Sequence, residues 1–250
     1  MPRIQRRLFE GKDASGRHPN GWRKGTDVHI KTEGKFAERL AQHVLGGVRS
    51  EANDNTCDLW CAERDLGMES KAGSSQDGVK IPESQLEAHL QSCGDEFPYA
   101  HCWYVLLKYR NAKRYGDFTQ RLFQEEVRCE ADVSPFLCRN TTGLYVLDIS
   151  VVEAIRKCRG ADVTIWRDHS VQPATKIRWR FFSQLAAAPD NSLHSLGLSP
   201  KRYRLESRRI QTEFDGGSME FDFLLLLSRK SFKRMAAPTL FPMERQAAIA

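Results

Sequence analysis

The sequence predicts an α/β fold, a mixed central sheet flanked by helices with a C-terminal α+β extension. Three observations predict it. Phe36, Ala37, Leu40, Ala41, Val44 and Leu45 recur at helical spacing. Tyr99 to Tyr109 is rich in aromatic and branched residues, the strongest strand signal in the first half, and Met219 to Leu227 reads as a buried strand. Helical and strand patterns also alternate along the chain, which favours helices packed on a sheet. With 250 residues, 40% of them hydrophobic, the chain is long enough to bury a full core.

Taken in order, residues 1–30 read as a basic arm. Arg3, Arg6, Arg7, Lys12, Arg17, Arg23 and Lys24 stand among Gly, Pro and Asn, a composition that packs no core of its own. A helix follows from about Thr32 and stops at Gly46-Gly47, with Glu38 at the margin of its apolar stripe. Two short strands come next, Thr56 to Ala62 and Gly67 to Ala72, joined by a turn around Glu63 to Asp65. Gly73 to Val79 reads as a loop. Pro82 fits the first turn of a helix carrying Gln85, Leu86, His89 and Leu90. After the strand at 99–109, residues 117–131 read as helix, 144–149 as strand, and 150–158 as a helix capped by Ser150. Arg208 to Phe214 alternates, Asp215-Gly216-Gly217 turns, and Met219 to Leu227 runs back. The tail from Ala236 has no pattern. Residues 31–150 therefore form the expected core and 151–250 the extension.

Charge is uneven. Residues 1–50 carry eleven Lys or Arg against five Asp or Glu, whereas residues 51–100 carry three against eleven. An acidic segment between basic flanks suits an enzyme that gathers cations and grips a polyanion, and equally suits solvated acidic turns. No apolar run reaches the ~18 residues of a membrane span, so no membrane partner is expected. The basic, polar start is no secretory signal, and a cytoplasmic location follows as an expectation. Seven cysteines, an odd number with no C-x-x-C pair, point to reduced buried thiols. A zinc site from Cys57, Cys61, Cys93 and Cys102 lacks the usual ligand spacing.

The chemistry concentrates in the two short strands. Side chains alternate in a strand, so Asp58 shares a face with Thr56 and Trp60, while Cys57, Leu59 and Cys61 take the other. Glu69 and Lys71 likewise share a face. A hairpin centred between Glu63 and Arg64 sets Asp58 directly opposite Glu69. Two carboxylates meeting across strands repel unless a cation lies between them, and a hard divalent ion with oxygen ligands fits. Lys71, one pleat from Glu69, can orient a water. Glu-x-Lys occurs three times, at Glu10-Gly11-Lys12, Glu33-Gly34-Lys35 and Glu69-Ser70-Lys71. Only the last has an acid at hairpin distance upstream and an apolar strand on each side.

From Gly34 to Leu90 the order is a helix with Glu38, the Asp58 strand, the Glu69-x-Lys71 strand and a helix with Gln85. This resembles the PD-(D/E)xK, restriction-endonuclease-like, nuclease superfamily over about sixty residues. The resemblance implies a restriction-endonuclease-like fold and a Mg²⁺-dependent deoxyribonuclease, with Mn²⁺ able to substitute. In it Asp58 and Glu69 bind metal, the Ser70 backbone carbonyl can add one more oxygen, Lys71 assists the attacking water, and Glu38 and Gln85 support the site. Cys57 stands where the family has proline. The length of chain outside the core favours a restriction-type endonuclease acting on double-stranded DNA, with a homodimer compatible. Holliday-junction resolvases, transposon-end nucleases and a non-catalytic DNA-binding protein on the same scaffold are the alternatives.

Basic residues supply the expected DNA contacts: Arg6, Arg7, Arg23 and Lys24 in the arm, and Lys201, Arg202, Arg204, Arg208 and Arg209 beside the last hairpin. Ile177 to Phe182 is a shorter basic and aromatic run. Trp22, Trp103, Trp166 and Trp179 can stack on bases or fill a core. His89 and His101 read as packing histidines.

Overall fold

The computed structural model describes residues 26–50, 57–61, 65–92, 101–110, 134–167 and 173–235. The arm residues Arg6, Arg7, Arg23 and Lys24, Trp22, the turn at Glu63 and Arg64, the helix at 117–131 and the tail lie outside them. Among the described residues, helix α1 (Thr26–Leu45) is followed by β1 (Val48–Arg49), β2 (Leu59–Cys61), β3 (Leu66–Ser74) and β4 (Val79–Pro82). Then come α2 (Glu83–Ser92), β5 (His101–Tyr109), α3 (Ser134–Asn140), β6 (Thr141–Asp148) and α4 (Ile149–Lys157). The chain continues through β7 (Val163–Trp166), β8 (Ala174–Ile177), α5 (Trp179–Ala187) and α6 (Pro189–Ser195), and ends in β9 (Tyr203–Phe214), β10 (Gly217–Ser228) and α7 (Arg229–Met235).

Seven of these strands make one mixed sheet in the order β1-β2-β3-β5-β6-β10-β9. The first three form an antiparallel meander, β5 runs parallel to β3, and β10 runs parallel to β6. A parallel neighbour needs a crossover, and α2 lies in the connection between β3 and β5. The fold is therefore α/β with a mixed central sheet flanked by helices. The C-terminal hundred residues join the sheet through β10.

Alternation on β5 shows how two layers are built. Trp103, Val105 and Leu107 face a core with Phe36, Leu40 and Leu45 of α1. Cys102, Tyr104 and Leu106 face a second core with Leu86 of α2, Val152 of α4 and Phe182 of α5. Such strands read as near-continuous apolar runs because helices cover both faces. A smaller antiparallel sheet, β4-β8-β7, lies beside that second core. Glu83 of α2 accepts from Thr175 of β8 and pairs with Arg156 of α4 at 3.0 Å, which fixes the helix between them.

Several boundaries differ from the sequence reading. α1 begins at Thr26, so the helix takes in the last residues assigned to the arm. The loop expected at 73–79 is shorter, because β3 continues to Ser74 and Val79 opens β4. Pro82 ends that strand, and α2 starts one residue later. Asp148 caps α4 in place of Ser150, its carboxylate accepting from Ser150 N at 3.2 Å and Ser150 Oγ at 2.9 Å. The run at 177–182 is structural. Trp179 and Phe182 are buried against Tyr145, and Arg180 pairs with Asp162. The last hairpin turns on Asp215 and Gly216, both at positive φ (49° and 73°), as a two-residue turn of this hand requires.

Candidate metal and catalytic site

β2 and β3 pair in the register Leu59↔Met68, Trp60↔Gly67 and Cys61↔Leu66. Continued by one step, it sets Asp58 opposite Glu69, the pairing that the hairpin arithmetic predicts. Leu66 and Met68 belong to the α1 core, so Glu69 and Lys71 project from the other face of β3, toward α2. A bend at Asp58 ends the ladder there. The Asp58 carboxylate turns back along β3 and accepts a hydrogen bond from Ser70 N at 2.7 Å. In an antiparallel pair, a residue's N–H and C=O leave the strand on one edge, so the Ser70 carbonyl also leaves on the Asp58 side.

Glu69 is the centre of the cluster. It is only 2% exposed. Its Oε1 accepts from Lys71 Nζ and, at 2.6 Å, from Gln85 Nε2. Its Oε2 lies 4.0 Å from His89 Nε2. Burial pushes the Glu69 carboxyl up to about 7; Lys71 opposes the rise and Asp58 adds to it. Desolvation disfavours the charged form, and a neighbouring carboxylate disfavours it again. A divalent cation between Asp58 and Glu69 would reverse both effects, and the oxygen-rich donor set of two carboxylates and a backbone carbonyl fits Mg²⁺ or Mn²⁺. Asp58, Lys71 and Gln85 are each partly exposed, so the cluster opens to solvent on their side.

Glu38 stands on α1, which packs on the Met68 face of the sheet, and pairs with Arg49 of β1 at 2.7 Å. The C-terminal basic residues lie on or before β9, the sheet edge away from β1. Four strand spacings separate β9 from β3, about 19 Å. Arg204 pairs with Glu206 and also covers the Phe232 ring. Arg209 meets Glu220 at 2.7 Å and Asp222 at 3.7 Å, and Arg208 lies over the Phe223 ring. Lys201 and Arg202 are exposed in the turn before β9. Trp103 and Trp179 are core residues, the latter donating to the Ser74 carbonyl at 2.6 Å, and Lys80 lies over the Trp166 ring.

The sequence reading misses two neighbours of Glu69. His89 is buried, four residues after Gln85 on α2, and its Nδ1 meets Tyr104 OH at 2.8 Å. The helical repeat of Gln85 and His89 was available as a signal. Cys57 was not legible. Period two groups it with Leu59 and Cys61, but the bend at Asp58 turns it into the second core, where its Sγ is 3.9 Å from that of Cys102. Cys61 belongs to the α1 core, on the opposite side of the sheet, and Cys93 lies outside the described residues. No family model, curated protein or solved structure matches the chain.

Proposed function

We propose that this protein is a metal-dependent DNA endonuclease of the restriction-endonuclease-like type, with Asp58, Glu69, Lys71 and Gln85 as its catalytic cluster. The observation that carries the reading is the convergence on Glu69. Lys71, one pleat away, and Gln85 from the following helix both donate to one carboxyl oxygen, and Asp58, at the bend before the preceding strand, adds its charge to the same group. The element order from α1 to α2 is the order on which the family resemblance rests, and the mixed sheet with helices on both faces is compatible with it.

Asp58, Glu69 and the Ser70 carbonyl would hold Mg²⁺, with Mn²⁺ as a substitute. The bound ion would supply Lewis-acid stabilisation of the charge that develops on the scissile phosphate. Gln85 donates to Oε1 of Glu69 and so fixes the rotamer of that carboxylate. The Lys71 ammonium, partly exposed beside Glu69, donates to a water approaching phosphorus in line and orients its lone pair. Glu38 supports β1 and the start of β2 through Arg49. Lys201, Arg202, Arg204, Arg208 and Arg209 contact DNA phosphates, and the arm residues Arg6, Arg7, Arg23 and Lys24 add to that grip. A homodimer would bring one such cluster to each strand of a duplex.

The direct test is incubation of the full chain with supercoiled DNA in Mg²⁺ and in EDTA. Nicking or linearisation in Mg²⁺ alone is expected, and Asp58→Ala should lower the rate by about 100-fold or more. Equal cleavage by wild type and Asp58→Ala would remove the proposed site. Binding without cleavage in every metal would favour the non-catalytic scaffold instead.

A further inference from the structure

We infer that Cys57, His89 and Glu69 form a second metal site, selective for a borderline-soft divalent cation such as Zn²⁺ and sharing Glu69 with the magnesium cluster. One donor atom from each of the three lies within 4.8 Å of the others. All three side chains are more than nine-tenths buried. The donors come from three separate elements: the segment before β2, the middle of β3, and α2. Their meeting is therefore a product of the fold and not of local sequence.

The donor types choose the ion. A thiolate, an imidazole and a carboxylate suit zinc, whereas magnesium takes oxygen almost exclusively. Charge agrees with this choice. A thiolate and a carboxylate together carry two negative charges, which a divalent ion cancels, so the buried group becomes neutral when loaded. The His89 ring is held at its far nitrogen: Nδ1 meets the Tyr104 hydroxyl at 2.8 Å, and Nε2 faces Glu69 Oε2 at 4.0 Å. A partner on the far nitrogen orients a ligating histidine, and in the tautomer that donates Nδ1–H to the tyrosine oxygen, Nε2 is the ligating atom. The carboxyl is also divided. Oε1 faces Lys71 and Gln85, and Oε2 faces His89. One carboxylate can thus serve both sites, with Asp58 belonging to the outer one and Cys57, the adjacent residue, to the inner one.

The same three residue types could form a nucleophilic triad, but the geometry opposes it. A triad needs the imidazole between thiol and carboxylate, with one nitrogen for each. Here Tyr104 occupies Nδ1, and the thiol is buried away from any substrate.

The test uses Co²⁺ as a spectroscopic substitute, added alone to the full-length, metal-free protein. One Co²⁺ per chain should bind with a thiolate-to-cobalt charge-transfer band, and Zn²⁺ should displace it. Cys57→Ser should abolish the band. His89→Gln, which keeps a polar group for Tyr104, should weaken binding by about 10- to 100-fold. Asp58→Ala should retain the band at full intensity, because Asp58 belongs to the magnesium cluster alone. Far-ultraviolet circular dichroism of each variant reports folding. Absence of a charge-transfer band in the folded wild type, or its persistence in folded Cys57→Ser, would overturn the inference. Neither readout depends on DNA cleavage, so the inner site can stand or fall while the nuclease reading does the opposite.

Discussion

Glu69 answers to several neighbours at once, and its protonation state follows from which of them dominates. With metal absent, burial raises its carboxyl to about 7 from an ordinary value of 4.5, Lys71 only partly compensating. Between those two values the folded chain holds a proton that the unfolded chain has released. Folding stability must then fall as pH rises through this window, since the slope follows the difference in bound protons. Glu69→Gln, neutral at every pH, removes that contribution. Urea melts in EDTA at pH 5 and pH 8 should show the variant gaining on wild type at the higher pH. An equal difference between the two proteins at both pH values would mean that Glu69 is not held neutral. Saturating Mg²⁺ should restore wild-type stability at pH 8, because an ion that binds only the folded state favours it by mass action.

At the level of the element, the site depends on how β3 hands over to β4 and α2. Gly73 and Gly78 let the two strands approach so closely that a Cβ on Gly73 would overlap the Gly78 carbonyl oxygen. Gly78 itself sits at φ 91° with its own Cβ position blocked by the Ile177 carbonyl. Trp179 seals this crossing by donating to Ser74 O. The crossing carries the chain from Lys71 to Gln85, so strain here reaches both. Gly73→Ala should cost about 3 kcal/mol or more, since backbone atoms cannot yield as a flexible side chain can. The measurement is the shift in urea midpoint. A shift within error would show that β4 can move away without loss, and that α2 is held from elsewhere, through Arg156 and Thr175.

Over the whole molecule, charge is spread unevenly about the sheet. The proposed catalytic strand lies toward one edge and the C-terminal basic strand forms the other, about 19 Å away. Arg204 and Arg209 already meet carboxylates there. Exposed pairs of this kind contribute little and exchange readily for phosphate. The basic arm is the second proposed source of grip, with seven Lys or Arg against two acids in residues 1–24. Its removal should weaken DNA binding most at low salt and flatten the plot of log affinity against log salt, by about 0.9 for each phosphate the arm had neutralised. Gel shifts in Ca²⁺ across a salt series give both slopes. Unchanged slopes would take the arm off the DNA and leave the β9 edge as the binding surface.

Much of the site was legible in the sequence because strand geometry is local. A period of two and a hairpin centre at Glu63 and Arg64 suffice to oppose Asp58 to Glu69, and the register of β2 on β3 leads to the same pair. The α/β class was legible for a similar reason: apolar stripes and runs report which faces a helix or strand will bury. Short strands were not. Val79–Pro82, Val163–Trp166 and Ala174–Ile177 are four residues each, too brief for alternation to stand above chance, and they are strands because they pair with one another. Cys57 shows the same division at a single residue. By sequence it belongs with Leu59 and Cys61. A bend at Asp58, which caps Ser70 N with its own side chain, reverses its face and brings it to Glu69 and His89. The sequence determines by itself which groups share a strand face or a helix face. Only the tertiary structure decides which faces meet, because that depends on packing between elements distant in the chain.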